Sequence, residues 1–336
     1  MINEAFEAPA AVARQLAEDA AAYASLGEAL RATPPQGVLT VARGSSDHAA
    51  HYMAYLVMAR LGRLVTSLPM SLVTLYQAQL ACEGLVSVAF SQSGQSPDLV
   101  APTRVLRAGG ARTVAVVNDP ASPLAEAAEW VLPLHAGPER SVAATKSYIT
   151  QLVAGARLTA AWQQDAELQA AVQALPAALD LAARQDWRVA VDALQGADRL
   201  FVIGRGTGLA VAMEAALKLK EVCGVQAEAF SGAELRHGPM ALVEQGYPLL
   251  VLAPRGPAQA GLLALADDMR QRGARVLLAA PPGTPGAELP LAPTGHEDLD
   301  PIAVVQSFYP MVEALARARG RNPDEPRHLA KVTRTH

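Results

Sequence analysis

The chain has 336 residues, 51% of them hydrophobic but only 4% aromatic, and a formal charge of −4. That length allows two domains, each with its own core. The slight charge, spread along the chain, argues against a nucleic-acid or membrane-surface protein, which would carry a basic patch, and no apolar run approaches the ~18 residues of a membrane span.

Residues 1–30, beginning MINEAFEAPAAVARQLAEDA, read as one Ala-rich amphipathic helix. Their early acids and lack of a basic-then-apolar order do not fit a signal peptide. Cys82 and Cys223 stand alone, without metal-ligand spacing or a disulfide framework. A soluble cytoplasmic protein is the expectation. The segment PPQGVLTVARGSSDHAAHYMAYLVMARLG (34–62) then reads strand, Gly-containing turn, helix. GLVSVAF (84–90) is a second strand, followed by SQSGQSPD (91–98), and RAGGARTVAVVNDP (107–120) supplies a third. Short β-branched runs alternating with helical stretches mean βαβ units and a parallel sheet covered on both faces. Residues 163–194 have helical apolar spacing interrupted by Pro176 and serve as a helical connector.

The pattern then repeats. QGADRLFVIGRGTGLAVAMEAALKLKEVCG (195–224) matches 34–62, with Gly204 lying 160 residues after Gly44. YPLLVLAPRGPAQAG (247–261) matches 84–98, and RQRGARVLLAAPPG (270–283) matches 107–120. The near-constant offset indicates a tandem duplication. The expected class is α/β, with two tandem doubly wound parallel sheets flanked by helices. The expected division is an N-terminal helix (1–30), a first domain (31–160), a helical connector (161–194), a second domain (195–319) and a C-terminal tail (320–336).

Doubly wound sheets bind ligands at the carboxyl ends of their strands. There the first copy carries Gly44-Ser45-Ser46 and SQSGQS, loops that open helices and present free N–H groups with the positive end of a helix dipole. Serine hydroxyls and Gln92 add neutral donors, and the sum suits a phosphate monoester. The competing reading is that these serines only cap helices and shape turns. The second copy favours binding, because its corresponding loop, APRGPA, has no serine and still has to make the same turn.

The chemistry-bearing segment is EAALKLKEVCGVQAEAFSGAELRHGPMAL (214–242). Glu214, Lys218 and Glu221 are spaced i, i+4, i+7 on one helix face. An exposed charged stripe is the usual fate of such spacing, but the Ala/Leu/Val-rich setting predicts a covered face on which these charges must pair. The following loop carries Glu234 and His237, the latter a candidate general acid/base. Two features point elsewhere. Asp47, His48 and His51 stand close together without a further ligand pattern, so no metal is expected. GRGTG (204–208) departs from the dinucleotide fingerprint at its third glycine, so no nucleotide cofactor is expected.

SQSGQSPD, RSVAATKSY, IGRG, EAALKLKE, AEAFSGAELRHGP and PRHLAKVTRT, in this order, closely resemble the isomerase half of glucosamine-6-phosphate synthase. More broadly, the chain resembles the double-SIS (sugar isomerase) proteins from about residue 35 to its end. That resemblance implies phosphate contacts from Ser91, Gln92, Ser93, Ser96 and Ser46, and sugar contacts from Val142, Ala144 and Ala330. It implies that Glu221 is the base between C1 and C2, with Lys218 beside it and Glu214 as its partner. His237 would be the ring-opening acid/base, contributed across a homodimer interface, and Lys331 would close over the open-chain sugar. Ala144 and Ser96 depart from the synthase, which has serine and threonine there.

The synthase begins with a glutaminase domain, of which this chain shows no trace. The chain also resembles the SIS-type glucosamine-6-phosphate deaminases, and that resemblance implies conversion of glucosamine 6-phosphate to fructose 6-phosphate and ammonia, with no cofactor. A deglycase, a plain aldose–ketose phosphate isomerase and a non-catalytic sugar-phosphate sensor are the alternatives. The sensor reading predicts loss of the acid/base set, whereas Lys218, Glu221, His237 and Lys331 are all present.

Overall fold

A computed structural model describes residues 1–331. Strands β1 (Gly37–Val41), β2 (Val65–Ser67), β3 (Leu85–Ser91), β4 (Arg112–Val117) and β5 (Trp130–Pro133) form one parallel sheet in the order β2-β1-β3-β4-β5. Strands β6 (Arg199–Gly204), β7 (Gln226–Ser231), β8 (Pro248–Leu252), β9 (Arg275–Ala280) and β10 (Leu289–Pro290) form another, also parallel, in the order β10-β9-β8-β6-β7. Numbered within its own copy, each sheet runs 2-1-3-4-5, so the duplication extends to topology. A shift of 162 residues carries the cross-strand pair Val41/Ala89 onto Ile203/Val251. The same shift carries Gly44 (φ 53°) onto Gly206 (φ 61°). The structural counterpart of Gly44 is thus Gly206 rather than Gly204, because a positive-φ glycine at this point turns the chain from strand into helix. Gly204 answers to packing instead. A Cβ there would stand 2.5 Å from the Gly208 carbonyl oxygen.

The helices are α1 (Ile2–Ala17), α2 (Ala20–Ala32), α3 (Gly44–Leu61), α4 (Ser71–Thr74), α5 (Pro97–Ala108), α6 (Pro123–Ala127), α7 (Lys146–Gln163), α8 (Ala166–Ala183), α9 (Arg188–Leu194), α10 (Thr207–Lys218), α11 (Gln259–Gln271) and α12 (Asp300–Ala318). The N-terminal segment is two helices rather than one. Asp19 is left-handed (φ 56°) and its carboxylate pairs with His135. The buried guanidinium of Arg157 donates to the carbonyls of Gln15, Leu16 and Glu18, which the end of α1 leaves open. Pro176, expected to interrupt the connector, lies inside α8. The helix survives the lost N–H because Leu168, Val172, Leu175 and Leu179 bury one continuous face.

The chain divides into two compact units. One comprises Ala10–Glu139, Lys146–Gln173 and, at the end of the described chain, Ala330 and Lys331, and contains the first sheet; its core includes Val41, Ala89, Leu106, Val117 and Leu124. The other comprises Met1–Pro9, Arg140–Thr145 and Ala174–Leu329, and contains the second sheet; its core includes Ile203, Val251, Leu265, Met269 and Leu278. Among the described residues no helix is long and apolar enough to cross a membrane.

Candidate active site

In the unit built on the first sheet, β1 and β3 are neighbours, with Val41 opposite Ala89. The loops that follow them, 42–46 and 92–96, therefore leave the same edge side by side. Ser91 is buried and its Oγ accepts the Gly94 N–H at 3.0 Å; Ser93 Oγ accepts the Gln95 N–H at 3.3 Å. Gly94 takes φ 64° between them. Two of the serines thus shape the turn, as the competing reading expects, but only by accepting; each keeps a hydroxyl proton to donate. Ser96 occupies the N-cap position of α5 without making a capping bond, and Gln92 is half-buried. Ser46, in the first turn of α3, accepts a 2.9 Å bond from Gln151 of α7. The second copy makes the equivalent turn differently. There Arg255 clamps Asp300 through Nε (2.7 Å) and Nη2 (2.8 Å) and also donates to the Thr294 carbonyl.

In the unit built on the second sheet, Glu214 and Lys218 are almost wholly withdrawn from water, with side-chain exposures of 0% and 1%. Lys218 Nζ lies 3.4 Å from Glu214 Oε1 and is hydrogen-bonded to Glu221 Oε2. Tyr309, from α12, donates to Glu214 Oε1 at 3.3 Å. Burial alone would pull the Lys218 amine down, but the two carboxylates outweigh it and hold the amine above the ordinary lysine value. The paired carboxylates therefore favour the charged form of the amine. Past Lys218 the helix widens into a π-turn over Leu219–Cys223, which carries Glu221. Such turns recur at functional sites. Glu221 differs from Glu214 in keeping 20% of its side chain exposed. It opens onto a cavity of about 170 Å³ lined also by Arg321, Asn322, Glu325 and Arg327. Arg321, Asn322, Glu325 and Tyr309 carry no local signal in the sequence, and Arg327, within the PRHLAKVTRT motif, was given no role there.

His237 is exposed at the end of a short 3₁₀ turn, Glu234–His237, before Gly238 (φ 139°). No hydrogen bond or ion pair joins it to Glu214, Lys218 or Glu221 within the described chain. Val142 is half-buried and its N–H donates to the Asp324 carbonyl at 3.2 Å; Ala144 is half-buried and Ala330 exposed. Lys331 Nζ bonds Glu139 Oε2 at 2.8 Å, 192 residues away in sequence. Glu139 is buried and also accepts from the N–H (3.0 Å) and Oγ (2.7 Å) of Ser147. Burial alone would raise the Glu139 carboxyl, but Lys331 and Ser147 bring it below the ordinary value. Glu139 was missed because its partner is so distant in sequence. Among the described residues, no three His, Cys, Asp or Glu side chains are grouped to hold a metal, and burial lowers the His51 imidazole. A cavity of about 490 Å³ near Tyr23 is lined by Arg31 and Arg157, both of which already donate to helix-end carbonyls.

The fold and these side chains define a class: tandem doubly wound α/β proteins with polar loops at the carboxyl edge of a parallel sheet. Within that class the chain belongs to the SIS domain family, whose model matches residues 35–161 and 193–280. It is 37% identical to the glutamine–fructose-6-phosphate aminotransferase (isomerizing) of Aeropyrum pernix, over 99% of this chain and 56% of that protein. The chain spans about half the length of the curated relatives it matches. A Silicibacter pomeroyi protein described as a candidate phosphosugar isomerase superimposes with a TM-score of 0.91 at 44% identity, over 96% of this chain and 99% of that one. Glucosamine-6-phosphate deaminase from Thermotoga maritima shares the fold, with a TM-score of 0.74 and 23% identity over 98% of this chain and 100% of that one.

Proposed function

We propose that the chain is an aldose–ketose phosphosugar isomerase that deaminates glucosamine 6-phosphate to fructose 6-phosphate and ammonia. One observation carries the reading: the buried Lys218, held above the ordinary lysine value by its carboxylates, is hydrogen-bonded to Glu221, which lines a cavity, and this suits a proton-shuttling carboxylate beside a positive charge. Family membership and the hydroxyl-rich loop at Ser91–Ser96 support it.

In this scheme Ser46, Ser91, Gln92, Ser93 and Ser96 bind the phosphate and thereby fix one end of the sugar. Val142, Ala144 and Ala330 contact the sugar, and Lys331 closes over its open chain. His237, supplied by a second copy in a homodimer, assists opening of the ring to the C1 aldehyde. Glu221 removes the C2 proton, giving an enolamine whose developing charge Lys218 stabilises, and returns a proton to C1. The resulting C2 imine takes up one water and releases ammonia, leaving the C2 ketone. The scheme needs no cofactor and no metal.

The test is ammonia and fructose 6-phosphate production from glucosamine 6-phosphate by purified protein, without glutamine or added metal. Equimolar products support the deaminase. Glucose 6-phosphate with an amine other than ammonia, from a fructosamine-type phosphate whose C1 imine is hydrolysed, would move the activity to a deglycase. Tight phosphosugar binding without turnover of any such substrate would leave a sensor.

A further inference from the structure

The phosphate cradle of the first copy consists of neutral donors in the sequence reading, yet a phosphate monoester carries close to two negative charges. Within the loops that follow β1 and β3, residues 42–46 and 92–96, a single cationic side chain occurs: Arg43. The register that sets Val41 opposite Ala89 brings Arg43 level with Ser91, at the start of the serine loop. Its Nε donates to Asp98 Oδ2 at 3.0 Å. Asp98 is buried in the first turn of α5, two residues after Ser96. Only Nε is engaged; Nη1 and Nη2 have no protein partner among the described residues, and the Arg43 side chain is 57% exposed.

The two copies place arginines in these loops to different ends. Arg255 of the second copy spends two of its nitrogens on Asp300 and donates again to Thr294, so it closes its own loop. Arg43 is steered by one bond and keeps its fork open. Its pairing also neutralises Asp98, whose charge in the first turn of α5 would otherwise repel an anion drawn to that helix end. A guanidinium held through Nε presents two parallel N–H donors, the geometry that meets two phosphate oxygens at once.

We infer that Arg43, oriented by Asp98, is a phosphate-binding residue that gives this site its preference for the doubly charged phosphomonoester end of a sugar. The inference rests on the proposed reading of the serine loop as the phosphate cradle. Arg43→Met keeps the aliphatic stem and removes the charge, and Arg43→Lys keeps the charge but not the fork. Titration calorimetry with glucosamine 6-phosphate and with inorganic phosphate, across a salt series, reads both. For Arg43→Met a weakening of about tenfold is expected, with a shallower salt dependence and an unchanged thermal midpoint. Arg43→Lys should fall between it and the parent, and in steady-state assays the change should appear in KM and leave kcat within about twofold. Ser96→Ala serves as the control on the underlying reading. If Ser96→Ala weakens phosphate binding while Arg43→Met binds like the parent with the same salt slope, the inference is overturned and the cradle stands. If phosphosugar binding ignores both substitutions, or the parent binds neither probe, the cradle reading fails and the inference goes with it.

Discussion

The two copies share a topology strand for strand and share almost none of their chemistry. Under the shift of 162 residues that relates them, Glu214, Lys218 and Glu221 fall on Tyr52, Leu56 and Ala59, so the three positions charged in one copy are uncharged in the other. The polar loop behaves in the opposite way: Ser91 of the first copy corresponds to Ala253 of the second, where Pro254, Arg255 and Pro257 make the turn. A scaffold that folds with either set shows that neither set is needed for folding, which is the condition for each to be free for function. The comparison also shows how one residue type changes its work. Arg255 is a strut, whereas Arg43 keeps most of its donors.

The division between copies can be broken at several points. The largest effect is expected at Glu221. Glu221→Gln should lower kcat by ~10²–10⁴-fold while phosphosugar affinity changes little, read by steady-state kinetics beside calorimetry. Turnover close to that of the parent would show that the base lies elsewhere. Lys218→Met should remove about 3–5 kcal/mol of stability in urea unfolding, because it leaves the Glu214 carboxylate buried without its cation. Leu56→Met, at the matching position of the first copy, should cost under about 1.5 kcal/mol.

The same ammonium sets an alkaline limit. Its folded value is raised, so its contribution is fully present below pH 10.5 and is lost as pH climbs through the raised value. Thermal midpoints should fall above that pH, and the Lys218→Met protein should lack this component of the fall.

Glu139 sharpens the comparison at the acid end. Its folded value is lowered, so its contribution is present above pH 4.5 and disappears as pH falls through the lowered value. Glu139→Gln should cost about 1–2 kcal/mol at neutral pH, flatten that acid dependence and release the chain at Lys331 to proteolysis. A tail that stays equally protected would mean the Lys331 ion pair does not hold it. The smallest effect is expected at Ser91→Ala, about 1 kcal/mol from the bond to Gly94. It should come with a rise in KM, whereas the converse Ala253→Ser should leave KM unaltered.

Much of this was legible in one dimension. Alternating β-branched runs and Gly-led helices encode the parallel α/β class and its duplication, since strand and helix periodicity are local properties of the chain. The position of the serine loop at a strand exit, and the i, i+4, i+7 stripe of Glu214, Lys218 and Glu221, are local as well. Tertiary structure decided what these patterns are worth. Burial turned the stripe into a desolvated cluster, capped by Tyr309 from a helix 95 residues on. The carbonyls gathered by Arg157 and the pairing of Asp19 with His135 divided the N-terminal helix, and a buried face carried α8 through Pro176. Strand register reassigned the partner of Gly44, and long-range ion pairs chose Asp98 for Arg43 and Glu139 for Lys331. Spacing along the chain selects which residues share a face; only the packed fold removes water from that face and brings distant charges together, and that sets the strength and protonation of each group.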